Sequence, residues 1–208
     1  AATNLEIGVI KNIPAEVELE GEITVPAKTL VEIISGLTQA VVSFESEGEN
    51  LSLISGKFKA KINGIAAGEF PAIPLSKEKG ISFPKKAFLT SSQILFASAV
   101  DEGRPVLTGV LTNVSAGKLD FVATDGFRLA HRQLQLDDKL AQFKSLIPKR
   151  TFEEVLRIIS EEEIEEVNIA TSLDQNQAEF RLGKTIVSSR LIEGNFPAWE
   201  KIIPTAIA

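Results

Sequence analysis

An internal repeat with a period of about 120 residues is the feature that most constrains how this chain can fold. Residues 25–34, VPAKTLVEII, resemble residues 147–156, IPKRTFEEVL, which lie 122 positions later. Residues 68–72, GEFPA, recur as GNFPA at 194–198, after 126 positions. Because a fixed period is the signature of a repeated structural unit, the sequence predicts parts of two similar domains.

The domain boundaries follow from where each copy starts. A third match, ATN at residues 2–4 and ATD at 123–125, keeps the same order at an interval of 121 positions. The second copy is complete, whereas the first begins some way into the repeat. We expect residues 1–76 to be the C-terminal part of a truncated first domain and residues 77–208 to be a complete second domain. The absence of methionine, at position 1 included, suggests a processed or excised piece.

Each domain also repeats within itself. Residues 83–88, FPKKAF, resemble the two proline-led segments and lie 58 positions after the start of the first and 64 before the start of the second. Proline suits the first turn of a helix, where its missing N–H has no intrahelical acceptor to lose. Each domain is therefore expected to contain two half-domains, each with a helix that follows an X-Pro step.

Hydrophobic spacing predicts the type of each element. Apolar residues three and four positions apart indicate helices with one buried stripe. The stripes consist of Leu30, Ile33, Ile34 and Leu37 in the first copy and of Phe152, Val155, Leu156 and Ile159 in the second, with a weaker one over residues 85–99. Alternating or β-branched runs predict strands at 41–45, 51–55, 58–63, 106–114, 119–124, 167–171, 178–182 and 185–191. The expected fold class is α+β, with helices on one face of antiparallel sheets.

Composition excludes several kinds of site. The chain has no cysteine and a single histidine, His131, which removes thiol chemistry and most zinc sites. No apolar run is long enough for a membrane helix and no leader opens the chain, so we expect neither a membrane-spanning nor a secreted protein. The net charge of −6 means that a polyanion would have to be bound by cations gathered on one surface.

Two motifs have structural interpretations. GKT at 183–185 has the ending of a phosphate-binding loop, but Ala178 stands where that motif requires glycine, so a hairpin turn is expected. The acidic run at 161–166 lacks the spacing of a cation cage and is interpreted as a solvated connection after a helix.

Basic residues recur at one position of the half-domain. Lys28, Lys86 and Arg150 each stand two residues after the proline that precedes a predicted helix, and Lys85 and Lys149 add to two of the three. A cation in the first turn opposes the helix dipole, so its recurrence suggests a shared purpose. Facing a common polyanion, these side chains could hold backbone phosphates without reading sequence. The alternative is a solvated helix end copied by duplication.

Five motifs together resemble the family of bacterial DNA polymerase III β subunits, the sliding clamps. They are ATDGFRLA at 123–130, VPAKTLVEI at 25–33, IPKRTFEEV at 147–155, LIEGNFPAWEKIIP at 191–204 and ATNLEI at 2–7. The resemblance implies the DNA-clamp fold and a non-catalytic processivity factor without cofactor or metal. It implies a subunit of three domains, with two subunits in a homodimeric ring around duplex DNA. It also implies a cytoplasmic, nucleoid-associated protein that binds the replicative polymerase, the clamp loader and other partners.

The same resemblance implies two sets of site residues. Those facing DNA would be Lys28, Lys85, Lys86, Arg104, Lys149 and Arg150. Those forming one wall of a partner-peptide groove would be Leu107, Thr124, Gly126, Phe127, Arg128, Leu129, Pro197, Lys201 and Ile202. The other wall would come from a third domain that this chain lacks, so we expect weak peptide binding and no ring closure. Phe127 stands where the family often has histidine, which makes the groove more apolar.

Two other functions stay open on the sequence alone. The chain could be a peptide-binding scaffold with no role on DNA. It could also be a hydrolase that uses Asp125 and His131 with Ser115 or Thr124 as nucleophile. Residues six apart on one strand lie roughly 20 Å apart, so that pair would need a sharp reversal of the chain. An exposed first-domain core also favours a non-native dimer.

Overall fold

The computed structural model divides the chain into two compact units. The larger unit comprises residues 1, 3–12 and 73–208, and the smaller one comprises residue 2 and residues 13–72. The structure describes residues 1–39, 41–101, 103–136, 142–172 and 176–203.

Thirteen strands and three helices lie within these described ranges. The strands before the second helix are β1 (Ala2–Thr3), β2 (Ile7–Lys11), β3 (Ser43–Glu47), β4 (Asn50–Ser55), β5 (Phe58–Asn63) and β6 (Ile81–Pro84). Those after it are β7 (Gly109–Ser115), β8 (Lys118–Thr124), β9 (Leu129–Gln135), β10 (Phe143–Pro148), β11 (Glu166–Ser172), β12 (Gln177–Leu182) and β13 (Thr185–Arg190). The helices are α1 (Ala27–Ser35), α2 (Lys85–Leu89) and α3 (Lys149–Glu161).

The two half-domains of the larger unit exchange their opening strands. Strand β6 precedes α2 but pairs with β11 of the other half, where Phe83 faces Val167. Strand β10 precedes α3 and pairs with β7, where Ile147 faces Val110. The resulting sheets run β1-β2-β13-β12-β11-β6 and β10-β7-β8-β9, and their strands are antiparallel. The expected α+β fold with duplicated half-domains is confirmed.

Four phenylalanines join the two halves at the centre of the core. The rings of Phe88 and Phe152 stack with centroids 5.2 Å apart and planes 6° from parallel. Phe121 meets both rings edge-on at 5.9 and 5.8 Å, and Phe180 lies 5.9 Å from Phe88. All four side chains are fully buried. Since aromatic pairs of this kind stabilise beyond the area they bury, this cluster fixes how α2 and α3 pack.

The larger unit also contains a strand from the first copy of the repeat. Strand β2 extends the long sheet by pairing with β13, and Val9 faces Val187 there. Residues 73–80 lie along the same sheet: the backbone N–H of Ser76 donates to Glu179 at 2.7 Å, and Ser188 donates to the Pro74 carbonyl at 2.7 Å. The segment that joins the two copies is therefore anchored to the larger unit.

The smaller unit has one three-stranded sheet, β3-β4-β5, and helix α1. The predicted buried stripe of α1 is wrong: none of its nine residues is buried, and Ile34 is 40% exposed. The counterparts Phe152 and Val155 on α3 are fully buried. The physical reason is that α3 packs against a second half-domain. Helices α2 and α3 each follow a paired strand, whereas the described residues immediately before α1 make one isolated bridge, between Thr24 and Ile65.

The helix predicted over residues 85–99 is wrong in its second half. Helix α2 ends at Leu89 and a 3-10 turn continues from Thr90 to Ala97. The hydroxyls of Thr90 and Ser92 donate to carbonyls three residues back, at 2.6 and 2.8 Å. Such side-chain bonds compete with the regular helix and favour the tighter winding.

The strand boundaries differ most from prediction at β3, which lies at Ser43–Glu47 instead of 41–45, and at β7. Strand β7 begins at Gly109 rather than at Val106, because a 3-10 turn spans Pro105–Leu107. Strands β1, β2, β6, β9 and β10 were not predicted. β9 carries the polar run His131 to Gln133, since it lies at the edge of its sheet and only one of its sides is paired.

Replacing Phe152 by alanine should remove about 3–5 kcal/mol from the free energy of unfolding, because it leaves a cavity in the aromatic cluster. Chemical denaturation followed by circular dichroism measures this change. Phe127→Ala is the matched control: its side chain is 94% exposed, so a change within about 0.5 kcal/mol is expected. A loss below about 1 kcal/mol for Phe152→Ala would contradict the central role of the stack.

Candidate peptide groove and DNA-facing helix ends

The loop from Thr124 to Leu129, between β8 and β9, is held by its own side chains. The Thr124 hydroxyl donates to the Arg128 carbonyl at 2.7 Å and accepts from the Gly126 N–H at 3.1 Å. One oxygen of Asp125 accepts from the N–H groups of Phe127 and Arg128 at 2.9 and 3.0 Å. The other accepts from the Arg128 guanidinium at 2.9 Å. Asp125 therefore orders the turn and orients Arg128.

Gly126 is required at the tip of this loop. Its φ is +93°, a backbone conformation that is energetically unfavourable for residues with a Cβ. A Cβ there would also lie 3.2 Å from the guanidinium of Arg104. The glycine thus lets Arg104 approach the backbone of the loop.

The first copy of the repeat contains the same loop. The Thr3 hydroxyl donates to the Ile7 carbonyl at 3.0 Å, and Asn4 accepts from the N–H groups of Glu6 and Ile7 at 3.0 and 2.8 Å. Leu5, at the position of Gly126, also has a positive φ, +74°. An amide replaces the carboxylate without loss of these bonds, so the repeat preserves a turn and not an acid.

Hydrogen bonding sets the pKa of Asp125. The N–H of Phe127 contributes most and that of Arg128 next, and together with the Arg128 guanidinium they lower the pKa of this carboxyl to about 2. A carboxylate that accepts several N–H bonds is stabilised in its charged form, so it is a poor general base.

One side of the loop faces an open cavity of about 250 Å³. The structure brings together four predicted residues around it, namely Arg104, Leu107, Phe127 and Arg128. Leu107 is buried and Phe127 is 94% exposed, so an apolar floor adjoins an unpacked aromatic ring. The guanidinium of Arg128 lies 5.7 Å from the centre of the Phe96 ring, a cation–π contact that the sequence did not indicate.

The other predicted groove residues lie elsewhere in the larger unit. Thr124 is buried under the loop, and Leu129 packs against a small core cluster of Leu111, Val122, Leu146 and Trp199. Pro197 precedes a 3-10 turn, Trp199–Lys201, and Ile202 follows it, 60% exposed. Pro197, Lys201 and Ile202 do not line the 250 Å³ cavity. Pro204, which ends the matched motif, lies outside the described residues.

His131 is partnered by a carboxylate that the sequence did not suggest. Its Nε2 lies 2.8 Å from Asp120 on the neighbouring strand, and its ring lies 4.4 Å from that of Trp199. Asp125 is engaged with Arg128 instead. The geometric basis of the hydrolase hypothesis, a pairing of Asp125 with His131, is therefore wrong.

Four of the six predicted DNA-facing residues fall into two groups, while Arg104 lies at the cavity described above. Lys86 and Arg150 are exposed in the first turns of α2 and α3, two residues before the stacked Phe88 and Phe152. In the second group, Lys85 donates to the carbonyl of Glu162 at 2.8 Å and Lys149 lies 3.7 Å from Glu153. Lys28 is exposed at the start of α1 in the smaller unit. The role of these residues stays a prediction.

The other candidate motifs have structural roles. Gly183 turns the chain between β12 and β13 with a φ of +62°. In the acidic run after α3, Glu162 pairs with Lys11 at 2.9 Å, and this contact lowers its pKa. Within the described residues, no three histidine or carboxylate side chains converge as metal ligands. No helix in that part of the chain is long and apolar enough to cross a membrane.

The Asp125 carboxyl should stay largely ionised at about pH 3, where an ordinary aspartate is mostly protonated. Because its folded pKa is depressed, its bonds to the loop are complete above the ordinary value and are lost as the pH falls through about 2. An NMR titration of the side-chain carboxyl carbon measures this. Asp125→Asn, which copies Asn4, should remove the titration and keep the turn. A midpoint at about pH 4, the ordinary pKa of an aspartate, would contradict the assignment.

Comparison with known proteins gives one family over the whole chain. Residues 84–198 match the central domain of the DNA polymerase III beta subunit, and residues 1–74 match its N-terminal domain. The "Beta sliding clamp" of Synechococcus elongatus is 32% identical over 208 aligned residues, which cover 98% of this chain and 55% of that protein. The chain thus spans about half the length of the curated relatives it matches.

Solved structures agree with these matches. The beta chain of DNA polymerase III from Streptococcus pneumoniae superposes with a TM-score of 0.88 at 29% identity, over 98% of this chain and 56% of that one. A sliding clamp from Pseudomonas aeruginosa bound to griselimycin superposes with a TM-score of 0.88 at 28% identity, over 98% and 56%. With more than half of its residues matched to the central domain, the chain belongs to the DNA polymerase III beta subunit family.

Proposed function

We propose that this chain is part of a DNA sliding clamp, a non-catalytic processivity factor that encircles duplex DNA and tethers the replicative polymerase. The observation that carries the proposal is the position of Lys86 and Arg150. Each is exposed at the start of a helix, and the Phe88–Phe152 stack holds the two helices together. Membership of the beta subunit family supports the same function.

Electrostatics explains why these two cations suit a sliding contact. A positive charge near a helix N-terminus is repelled by the helix dipole, so it needs an external anion to be favourable. Backbone phosphates supply such anions at every step along DNA, and contacts to them carry no sequence information. With a net charge of −6, the rest of the surface repels DNA and directs it to the basic lining.

The ring would require more chain than the residues described. We propose an additional half-domain before residue 1 that covers the exposed stripe of α1, and a third domain after the second. Two such subunits would close head to tail into a cytoplasmic, homodimeric ring. The boundaries at residues 1–76 and 77–208 are part of this proposal, supported by the 121 to 126 residue period of the repeat.

The groove beside the loop of Thr124–Leu129 would bind peptide segments of the polymerase, the clamp loader and other partners. Leu107 offers an apolar floor, while Arg104 and Arg128 offer donors for carbonyl or acidic groups. The Pseudomonas aeruginosa clamp is bound to griselimycin, so this compound is a suitable probe. We propose that it binds here, with the second wall supplied by the third domain.

Replacing Lys28, Lys86 and Arg150 together by alanine in the full-length subunit should weaken its binding to duplex DNA. Each lost phosphate contact should lower the slope of log affinity against log salt by about 0.9, so the triple variant should lose about 2 to 3. Fluorescence anisotropy of labelled DNA across a salt series measures this.

The matched control for this experiment removes the same charge from exposed residues away from the helix starts, with Lys57, Lys59 and Lys144 replaced by alanine. It should leave the slope nearly unchanged. Equal slopes in both triple variants would contradict the DNA-lining role. With griselimycin binding retained, that result would favour the peptide-binding scaffold without a DNA role.

Replacing Arg128 by alanine should weaken griselimycin binding to the full-length subunit about tenfold, because the loop holds its guanidinium at the rim of the cavity. Isothermal titration calorimetry measures this. Arg132→Ala is the control, since Arg132 is an exposed arginine on β9 outside the cavity. Equal affinities of the two variants would contradict the proposed site.

A further inference from the structure

Four side chains beside the proposed groove form a connected unit. Asp120 accepts through one oxygen from the Gln133 amide at 2.8 Å, and the same oxygen lies 2.8 Å from His131 Nε2. The His131 ring contacts the Trp199 ring with centroids 4.4 Å apart and planes tilted by 45°. Asp120 is 7% exposed and Trp199 is 8% exposed, so both depend on these contacts.

The carboxylate determines how the imidazole is oriented. A nearly buried carboxylate requires donors, because an unpaired one loses its hydration without replacement. Nε2 of His131 therefore carries the proton that it donates to Asp120, which fixes the plane of the ring. The ring face is then presented to Trp199 from a rigid β-sheet position, opposite Val122.

Trp199 is the first residue of the 3-10 turn that positions the predicted groove residues Lys201 and Ile202. Its N–H donates to the Pro197 carbonyl at 2.8 Å, and its carbonyl accepts from the Ile202 N–H at 3.0 Å. Lys201 and Ile202 are exposed and are held mainly through this turn. A shift of the indole ring would therefore move both.

The first copy of the repeat lacks this unit. At the repeat intervals of 121 and 126 residues, the positions of His131 and Trp199 are occupied by Ile10 and Ile73. Ile73 packs over Gly8, which stands at the position of Leu129. Aliphatic side chains thus suffice to fill this place in the fold. The polar and aromatic unit occurs in the copy whose loop borders the proposed groove.

We infer that Asp120 and His131 are positioning residues for the peptide groove, acting through Trp199 on Lys201 and Ile202. This inference rests on the groove proposed above. The Asp120–His131 bond orients the imidazole, the imidazole fixes the indole, and the indole fixes the turn that presents the outer wall to the ligand.

The test compares griselimycin affinities of full-length variants by calorimetry. His131→Ala should weaken binding about tenfold. His131→Phe, which keeps a ring against Trp199 but donates no hydrogen bond to Asp120, should recover only part of that loss, because Asp120 then no longer orients the ring. Arg132→Ala, the adjacent residue on β9, is the control and should bind as the wild type does. If His131→Ala only lowered the stability of the fold, restoring a ring against Trp199 would not by itself restore griselimycin affinity.

A spectroscopic signal follows the turn directly. Trp199 is the only tryptophan of the 208 residues, so its emission in this chain reports on this place alone. His131→Ala should shift the emission to longer wavelength and increase quenching by acrylamide, and His131→Phe should reverse both changes in part.

The possible outcomes separate this inference from the groove proposal. If the wild type binds griselimycin and His131→Ala binds it equally well, the positioning role is overturned and the groove stands. If none of the affinity lost in His131→Ala is recovered in His131→Phe, the contact is structural and the inference also fails; if all of it is recovered, Asp120 has no positioning role. If the wild type does not bind griselimycin, the groove proposal and this inference both fail.

Discussion

The contact between Phe88 and Phe152 is the interaction on which the larger unit depends. Each ring belongs to one half-domain, and the two stack in parallel at 5.2 Å while the opening strands exchange sheets. Neither half can bury its core without the other, because β6 completes the sheet of the second half and β10 that of the first. The same contact sets the spacing of Lys86 and Arg150, so the core geometry and the proposed DNA contact have one origin.

The two copies of the repeat preserve a backbone shape with different side chains. Asn4 makes the same loop hydrogen bonds as Asp125, and Leu5 adopts the positive φ of Gly126. The two copies differ in the residues that surround the loop. Glycine in the second copy admits the guanidinium of Arg104, and this copy alone has the contact between His131 and Trp199. The two copies therefore share one turn and differ in the residues around it.

Much of the fold and part of the site could be predicted from the sequence because repetition is a strong signal. The period predicted two related domains, and the recurrence after proline gave Lys86 and Arg150 as candidate phosphate contacts, a role that stays a prediction. Contacts between segments that are distant in the chain produce no repeated pattern in the sequence. The hydrogen bond from Lys85 to the Glu162 carbonyl depends on where α3 ends. The contact of His131 with Asp120 depends on the register of β8 and β9. The hydrophobic spacing of α1 is that of a buried helix, and only the incomplete first copy of the repeat indicated that apolar surface there would be exposed.

The central claim is that the full-length subunit holds DNA by encircling it. The most direct measurement compares its retention on a nicked circular plasmid with that on the same plasmid after linearisation, in salt high enough to screen phosphate contacts. A closed ring should stay on the circle and slide off the linear ends. Equal loss from circular and linear DNA would contradict the account, because it would mean that the basic residues bind DNA from one side only.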